Sequence, residues 1–188
     1  MRLFIAIDLP EEIRSKISDL LDQLKPMTRN VRWSRPETMH ITLKFLGETS
    51  PDIMRSVSNR LSTLTNSLPF HLRIQGAGYF PSEVSPNIIW LGIEAGPPLE
   101  TLANKIEACL VPLGFQKETR PFSPHLTLGR LRSKDSIPVV RQFLSDPDRT
   151  NFGSGFEVRE FHLYESQLSP GGSVYHKIAR FPLVSTSK

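Results

Sequence analysis

The segment ETMHITLKFLGE, Glu37–Glu48, sets a histidine two residues before a threonine inside an otherwise apolar run. Successive side chains of a strand point to opposite faces, so a strand here turns His40 and Thr42 one way and Ile41, Leu43 and Phe45 the other. One face packs and the other offers polar groups. Alone, the segment reads as a half-buried strand whose His and Thr meet solvent. A second segment changes that reading: FSPHLTLGRL, Phe122–Leu131, places His125 and Thr127 at the same spacing in the same kind of run.

Working outward from the two His-x-Thr units, the same order of elements recurs on both sides of each, with His125 following His40 by 85 residues. In the first half, Leu3–Leu9 reads as a strand. Asp8 with Glu11 forms an N-cap signal for a helix whose apolar face is Ile13, Ile17, Leu20, Leu21 and Leu24. A strand near Val31–Ser34 precedes the His40 strand, a helix opens at Ser50-Pro51, and a strand runs through Phe70–Ile74. In the second half a strand at Ile88–Ile93, a helix at Leu99–Leu113 and the His125 strand follow. A short helix at Ile137–Leu144 and a strand at Phe156–Tyr164 complete the parallel. This predicts an α+β fold of two pseudo-symmetric lobes, each an antiparallel sheet with outer helices, around a central cleft to which each copy contributes one His-x-Thr strand. Residues 1–184 are expected to form a single two-lobed domain from units of approximately 1–80 and 86–168, with 185–188 a frayed tail.

The composition of the 188-residue chain is that of a soluble globular protein, 38% hydrophobic and 22% charged. Lys and Arg number 23 against 19 Asp and Glu, a net +4 that favours a polyanionic partner. Cys109 is the single cysteine, which excludes an intrachain disulfide and a Cys-based zinc site and fits a reducing compartment. On its helix it reads as an inert core thiol. The opening MRLFIAIDLPEE has an apolar run too short for a signal segment or a membrane span, so a cytoplasmic protein without a membrane partner is expected.

Two histidines make a complementary acid and base near neutral pH, since imidazole with its unperturbed pKa of about 6.5 serves either purpose. An in-line displacement at phosphorus suits such a pair, one imidazole for each apical oxygen. The hydroxyls of Thr42 and Thr127 then stabilise charge on the equatorial oxygens. His-x-Thr supplies one good metal ligand per strand and no second on the same face, so neither a metal nor another cofactor is expected. A Thr or Ser nucleophile would need to appear only once, against the twofold recurrence.

HITLKFLG and HLTLGR resemble the two signature motifs of the two-histidine phosphoesterases. More closely, the chain resembles the LigT-like RNA 2′,3′-cyclic phosphodiesterases, also called 2′-5′ RNA ligases, in RLFIAIDLP, VRWSRPETMHITLKFLGE, RPFSPHLTLGR and FHLYESQLSPGGSVYHKIARFPL. The resemblance covers nearly the whole chain. It implies opening of a 2′,3′-cyclic phosphate at an RNA end, such as that of a tRNA fragment, to a 2′-phosphomonoester, with reverse joining into a 2′-5′ linkage. It implies His40 as proton donor to the departing 3′ oxygen and His125 as acceptor from the attacking water. The pseudo-symmetry by itself leaves either imidazole open to either role.

Around the pair, Lys44 shares the parity of His40 and is a candidate substrate ligand, with Phe45 beside it. Arg130 offers a phosphate fork carried by the family motif, although strict alternation turns it away from His125 unless a bulge at Gly129 intervenes. Tyr175 follows the SPGGS turn, which can bring its ring to stack on a terminal base. Lys117, Arg120, Arg132 and Lys134 are candidates for a basic rim or plain surface, and Trp33 for packing or stacking. Tyr164, Phe161 and Trp90 read as core, and His71, His162 and His176 as structural or exposed. The expected protein is a monomeric enzyme. The alternatives are a phosphodiesterase of small cyclic phosphates (a cyclic ADP-ribose phosphate or a cyclic nucleotide) and a non-catalytic nucleotide- or RNA-binding module.

Overall fold

Strand β1 (Arg2–Asp8) is buried without a break from Leu3 to Ile7, because both of its faces are covered. In a computed structural model, which describes residues 1–65, 67–170 and 172–184, the chain continues through α1 (Glu11–Leu24), β2 (Val31–Trp33), β3 (His40–Glu48), α2 (Pro51–Ser62), β4 (Phe70–Phe80) and β5 (Ile88–Glu94). The second half runs α3 (Pro97–Leu110), β6 (His125–Leu131), α4 (Ile137–Leu144), the single turn α5 (Pro147–Thr150), β7 (Phe156–Val158), β8 (Glu160–Ser169) and β9 (Gly172–Pro182). The tail Ser185–Lys188 lies outside the described residues. Among the described residues no helix is long and apolar enough to cross a membrane.

The strands form two antiparallel sheets, one ordered β3-β1-β8-β9 and the other β2-β6-β5-β4-β7. The α+β architecture is the one the repeat predicts, but the sheets do not divide along the middle of the chain: each takes strands from both halves. The stretch read as one strand over Phe156–Tyr164 is divided at Arg159. Its first part joins β4 in the five-stranded sheet and its second joins β1 in the four-stranded sheet. Strand β4 continues past Ile74 to Phe80, and β9, which no apolar periodicity announced, returns alongside β8 as a long hairpin.

Helix α1 buries Ile13, Ile17, Leu20, Leu21 and Leu24, the stripe its sequence predicts. Its N-cap is Pro10 without a side-chain cap, so Asp8 does not cap it; Asp8 ends β1, and its carboxylate is bound elsewhere. In α2 the expected cap is present, the Ser50 hydroxyl accepting the Ile53 N–H at 3.3 Å with Pro51 in the first turn. Helix α3 ends at Leu110, and Val111–Leu113 tighten into a 3₁₀ turn. Helix α3 packs on β3 and α2 on β9. One continuous core takes in the inward residues of both sheets, among them Ile5, Ile41, Ile89, Leu126 and the fully buried Phe161.

Candidate active site

β3 begins at His40 and β6 at His125, and the edge strand β3 runs close to β6 across the gap between sheets. The two histidines are held alike. His40 Nδ1 lies 2.9 Å from the carbonyl of Thr38, and His125 Nδ1 lies 2.8 Å from that of Ser123. A carbonyl only accepts, so each Nδ1–H donates, and Nε2 of each ring is the nitrogen left for chemistry. The turn before His40 is braced by Arg14 on α1, whose guanidinium donates to the carbonyls of Leu9, Pro36 and Met39.

Both strands then break alternation at the same place. Across β1, Asp8 faces His40 and Ala6 faces Thr42; the register then shifts, so that Ile5 faces Lys44 and Phe4 faces Phe45. Across β5, Gly92 faces His125 and Trp90 faces Thr127; after the shift Ile89 faces Gly129 and Ile88 faces Arg130. Leu43 and Leu128 are the extra residues, each directly after the threonine. A bulge of this kind reverses the faces of the residues that follow it, in β3 as far as a second shift that leaves Leu46 unpaired. Phe45 therefore emerges on the side of His40 and Thr42, and Arg130 on the side of His125 and Thr127, at equivalent places in the two motifs.

Lys44 goes the other way, contrary to the parity expected for it. It is buried, its ammonium 2.7 Å from Glu107 Oε1 on α3 and 3.0 Å from the carbonyl of Gln116. It faces a helix, not the gap between the sheets. Phe45, assigned by alternation to the packed face, is 71% exposed with its ring 6.2 Å from that of Phe4.

His40 is enclosed by aromatic rings: Phe4 stacks on it at 4.6 Å and Tyr175 meets it edge-on at 5.1 Å. Burial holds its pKa below the ordinary value of 6.5, against the opposing pull of its hydrogen bond to Thr38 and the charge of Asp8, while Arg14 adds to the depression. His125 lies edge-on to Phe80 at 4.9 Å, with the Trp90 ring at 6.3 Å. Tyr175, reached through the β8–β9 turn, thus stands beside the first histidine.

Composition and spacing did not single out the group behind His40. The Asp8 carboxylate accepts from the Tyr164 hydroxyl and pairs with Lys177 of β9. Burial raises its pKa, but the hydrogen bonds from Lys177 and Tyr164 and the attraction of His162 and Lys177 outweigh that and leave it below 3.8. Tyr164 is pushed well above the usual phenol range by burial and by Asp8. The one sequence signal for this group was Asp8 itself, read as a cap. His162 is buried, with Nε2 3.2 Å from Glu160, whereas His71 and His176 are exposed. Trp33 donates to the Thr28 hydroxyl at 3.2 Å and packs over Gly129, on the face away from Arg130. Lys117, Arg120, Arg132 and Lys134 are exposed, and Arg120 is tied to Glu118 at 3.2 Å. The Cys109 thiol is half-buried and its pKa is raised by burial. Among the described residues no three His, Cys, Asp or Glu side chains group as a metal site.

The chain matches the family described as LigT like Phosphoesterase twice, over residues 7–90 and 91–175. It is 37% identical to an RNA 2′,3′-cyclic phosphodiesterase of Archaeoglobus fulgidus over 96% of this chain and 99% of that protein. A Thermus thermophilus protein of known crystal structure superposes with a TM-score of 0.82 at 30% identity, covering 100% of both chains. The crystal structure of E. coli LigT complexed with 3′-AMP superposes with a TM-score of 0.79 at 31% identity over 98% of both. With the family pattern present in both halves and a full-length relative at this identity, the chain belongs to the LigT-like phosphoesterase family.

Proposed function

We propose that the protein hydrolyses the 2′,3′-cyclic phosphate at the end of an RNA to a 2′-phosphomonoester. The observation that carries the reading is the matched pair of His-x-Thr strand starts, each imidazole donating from Nδ1 to a carbonyl two residues before it. The presence of Phe45, Tyr175 and Arg130 on the same faces supports it further. In this reading the two Nε2 atoms flank one phosphorus. His125 takes a proton from water as its oxygen bonds to phosphorus, the bond from phosphorus to the 3′ oxygen breaks, and His40 gives its proton to that oxygen. The Thr42 and Thr127 hydroxyls and the Arg130 fork hold the equatorial oxygens as charge gathers there, and Phe45 and Tyr175 offer ring faces to the terminal base. The scheme calls on no metal. With an RNA 5′-hydroxyl as the nucleophile in place of water, the same forward steps bond its oxygen to phosphorus as the 3′ oxygen leaves, and join two ends through a 2′-5′ linkage. The protein is read as working as a monomer, and a reducing cytoplasm fits its lone thiol.

The test offers an oligonucleotide ending in a cyclic phosphate, with chelator present, and identifies the product isomer. A 2′-phosphate is expected; a 3′-phosphate reverses the leaving group. His40→Ala and His125→Ala should each lower kcat by about 10²- to 10⁴-fold. If both variants keep turnover and lose only RNA binding, the protein is a binding module. The rate should fall on both sides of a maximum within about pH 5 to 8, because one imidazole must be neutral and the other protonated. A flat profile contradicts the pairing.

A further inference from the structure

β2 is three residues long and forms the outer edge of the five-stranded sheet, beside β6. Its register sets Arg32 directly opposite Arg130, on the face that carries Thr127 and His125. Like charges facing each other across an antiparallel pair destabilise the sheet, and among the described residues neither guanidinium has an acidic partner. Arg55, Arg73, Arg120, Arg149 and Arg180 each sit against a carboxylate.

A third guanidinium continues the edge. Arg35 donates to the carbonyl of Ser173 at 3.1 Å and likewise has no carboxylate partner among the described residues. The tip of the β8–β9 hairpin thus reaches from one sheet to the edge of the other. It does so through Gly172, at φ +113, where an ideal Cβ would stand only 3.3 Å from Arg32 Nη2. A side chain there would crowd the guanidinium, and glycine leaves it free. The other face of β2 is spent on packing: a Cβ at Gly129 would come within 2.8 Å of the Trp33 ring.

Unpaired arginines held in register on the site's own face mark a place for an anion that the protein does not itself supply. We propose that Arg32 and Arg35 form a subsite for the phosphodiester on the 5′ side of the reacting cyclic phosphate, so that the enzyme selects an RNA chain over a mononucleoside cyclic phosphate. This rests on the reaction proposed above. A cyclic phosphate closes the 3′ end of its strand, so any further phosphate lies upstream. The next strand out from Arg130 is only about 4.8 Å away, a position from which a long side chain meets the neighbouring phosphate.

The experiment compares kcat/KM for adenosine 2′,3′-cyclic phosphate with that for a tetranucleotide ending in the same group. Wild type should favour the tetranucleotide. Arg32→Ala should lower the ratio of the two by about 10-fold, the scale of one charge-assisted contact, mainly through KM. It should also make the dependence of log KM for the tetranucleotide on log salt shallower by about 0.7, the share of one phosphate on a single strand. Arg35→Gln, which leaves β2 itself intact, should lower the ratio in the same direction. A ratio unchanged in both variants, or an equal loss on both substrates, overturns the proposal. If wild type hydrolyses neither substrate, it is the reaction that is wrong. Fluorescence anisotropy of a labelled tetranucleotide 3′-phosphate then decides the subsite, and equal binding by wild type and Arg32→Ala rejects it.

Discussion

His40 and Asp8 face each other across the β1–β3 ladder, and the charge of one bears on the proton of the other. Burial keeps His40 neutral to a lower pH than a free imidazole; Asp8 opposes this by favouring the imidazolium. In Asp8→Asn that opposition is gone, so the His40 pKa falls further. The limb of the pH–rate profile governed by His40 is expected to move to lower pH, and the opposite limb to stay, when kcat/KM is measured against pH. A profile with both limbs unmoved shows that Asp8 does not act on His40. Removing the Tyr164 hydroxyl with Tyr164→Phe leaves the Asp8 charge in place, so it serves as the control for loss of a hydrogen bond alone.

The bulges after Thr42 and Thr127 decide which side chains reach the site, and they do it at the scale of a strand. Alternation read from the apolar residues holds as far as each threonine and fails directly afterwards, because Leu43 and Leu128 are both buried although their successors Lys44 and Gly129 are buried too. The cost of turning Lys44 inward is met by Glu107, whose Oε1 takes the ammonium and whose Oε2 accepts the backbone N–H of Glu118 at 3.3 Å. Removing one partner of a buried ion pair strands the other, so Glu107→Ala should lose about 3 kcal/mol of stability in urea unfolding. Lys44→Met with Glu107→Leu should recover most of that loss, since an apolar pair of similar volume carries no desolvation cost. Equal destabilisation by the single and double variants contradicts this account. The same pair ties β3 to α3 and to the segment leading to His125, so the single variant should also lower kcat.

Across the whole molecule, the pKa values of His40 and His162 are both depressed, in each case first by burial. A group whose folded pKa lies below its unfolded value binds fewer protons in the folded state. As pH drops below about 6.5 the unfolded chain therefore takes up protons first and the fold loses stability. Asp8 works in a separate window: its contribution is complete above 3.8 and is lost as pH falls through its lowered folded value. The urea midpoint is accordingly expected to fall between about pH 7.5 and 5.5, and to fall less in a His40→Asn, His162→Asn double variant. A double variant as acid-sensitive as wild type rules these two groups out as the cause.

From the sequence alone came the existence of most elements, the α+β class, the paired His-x-Thr motifs and the family resemblance. These depend on period, spacing and short motifs, which are local properties of the chain. Tertiary structure decided the rest. Whether Lys44, Phe45 or Arg130 faces the site depends on the register each strand keeps with its neighbour, and a single extra residue reverses it. Asp8 looked like a helix cap because its partner Tyr164 lies 156 residues away along the chain. No local pattern carries information over that distance; only the pairing of β1 with β8 brings the two groups together.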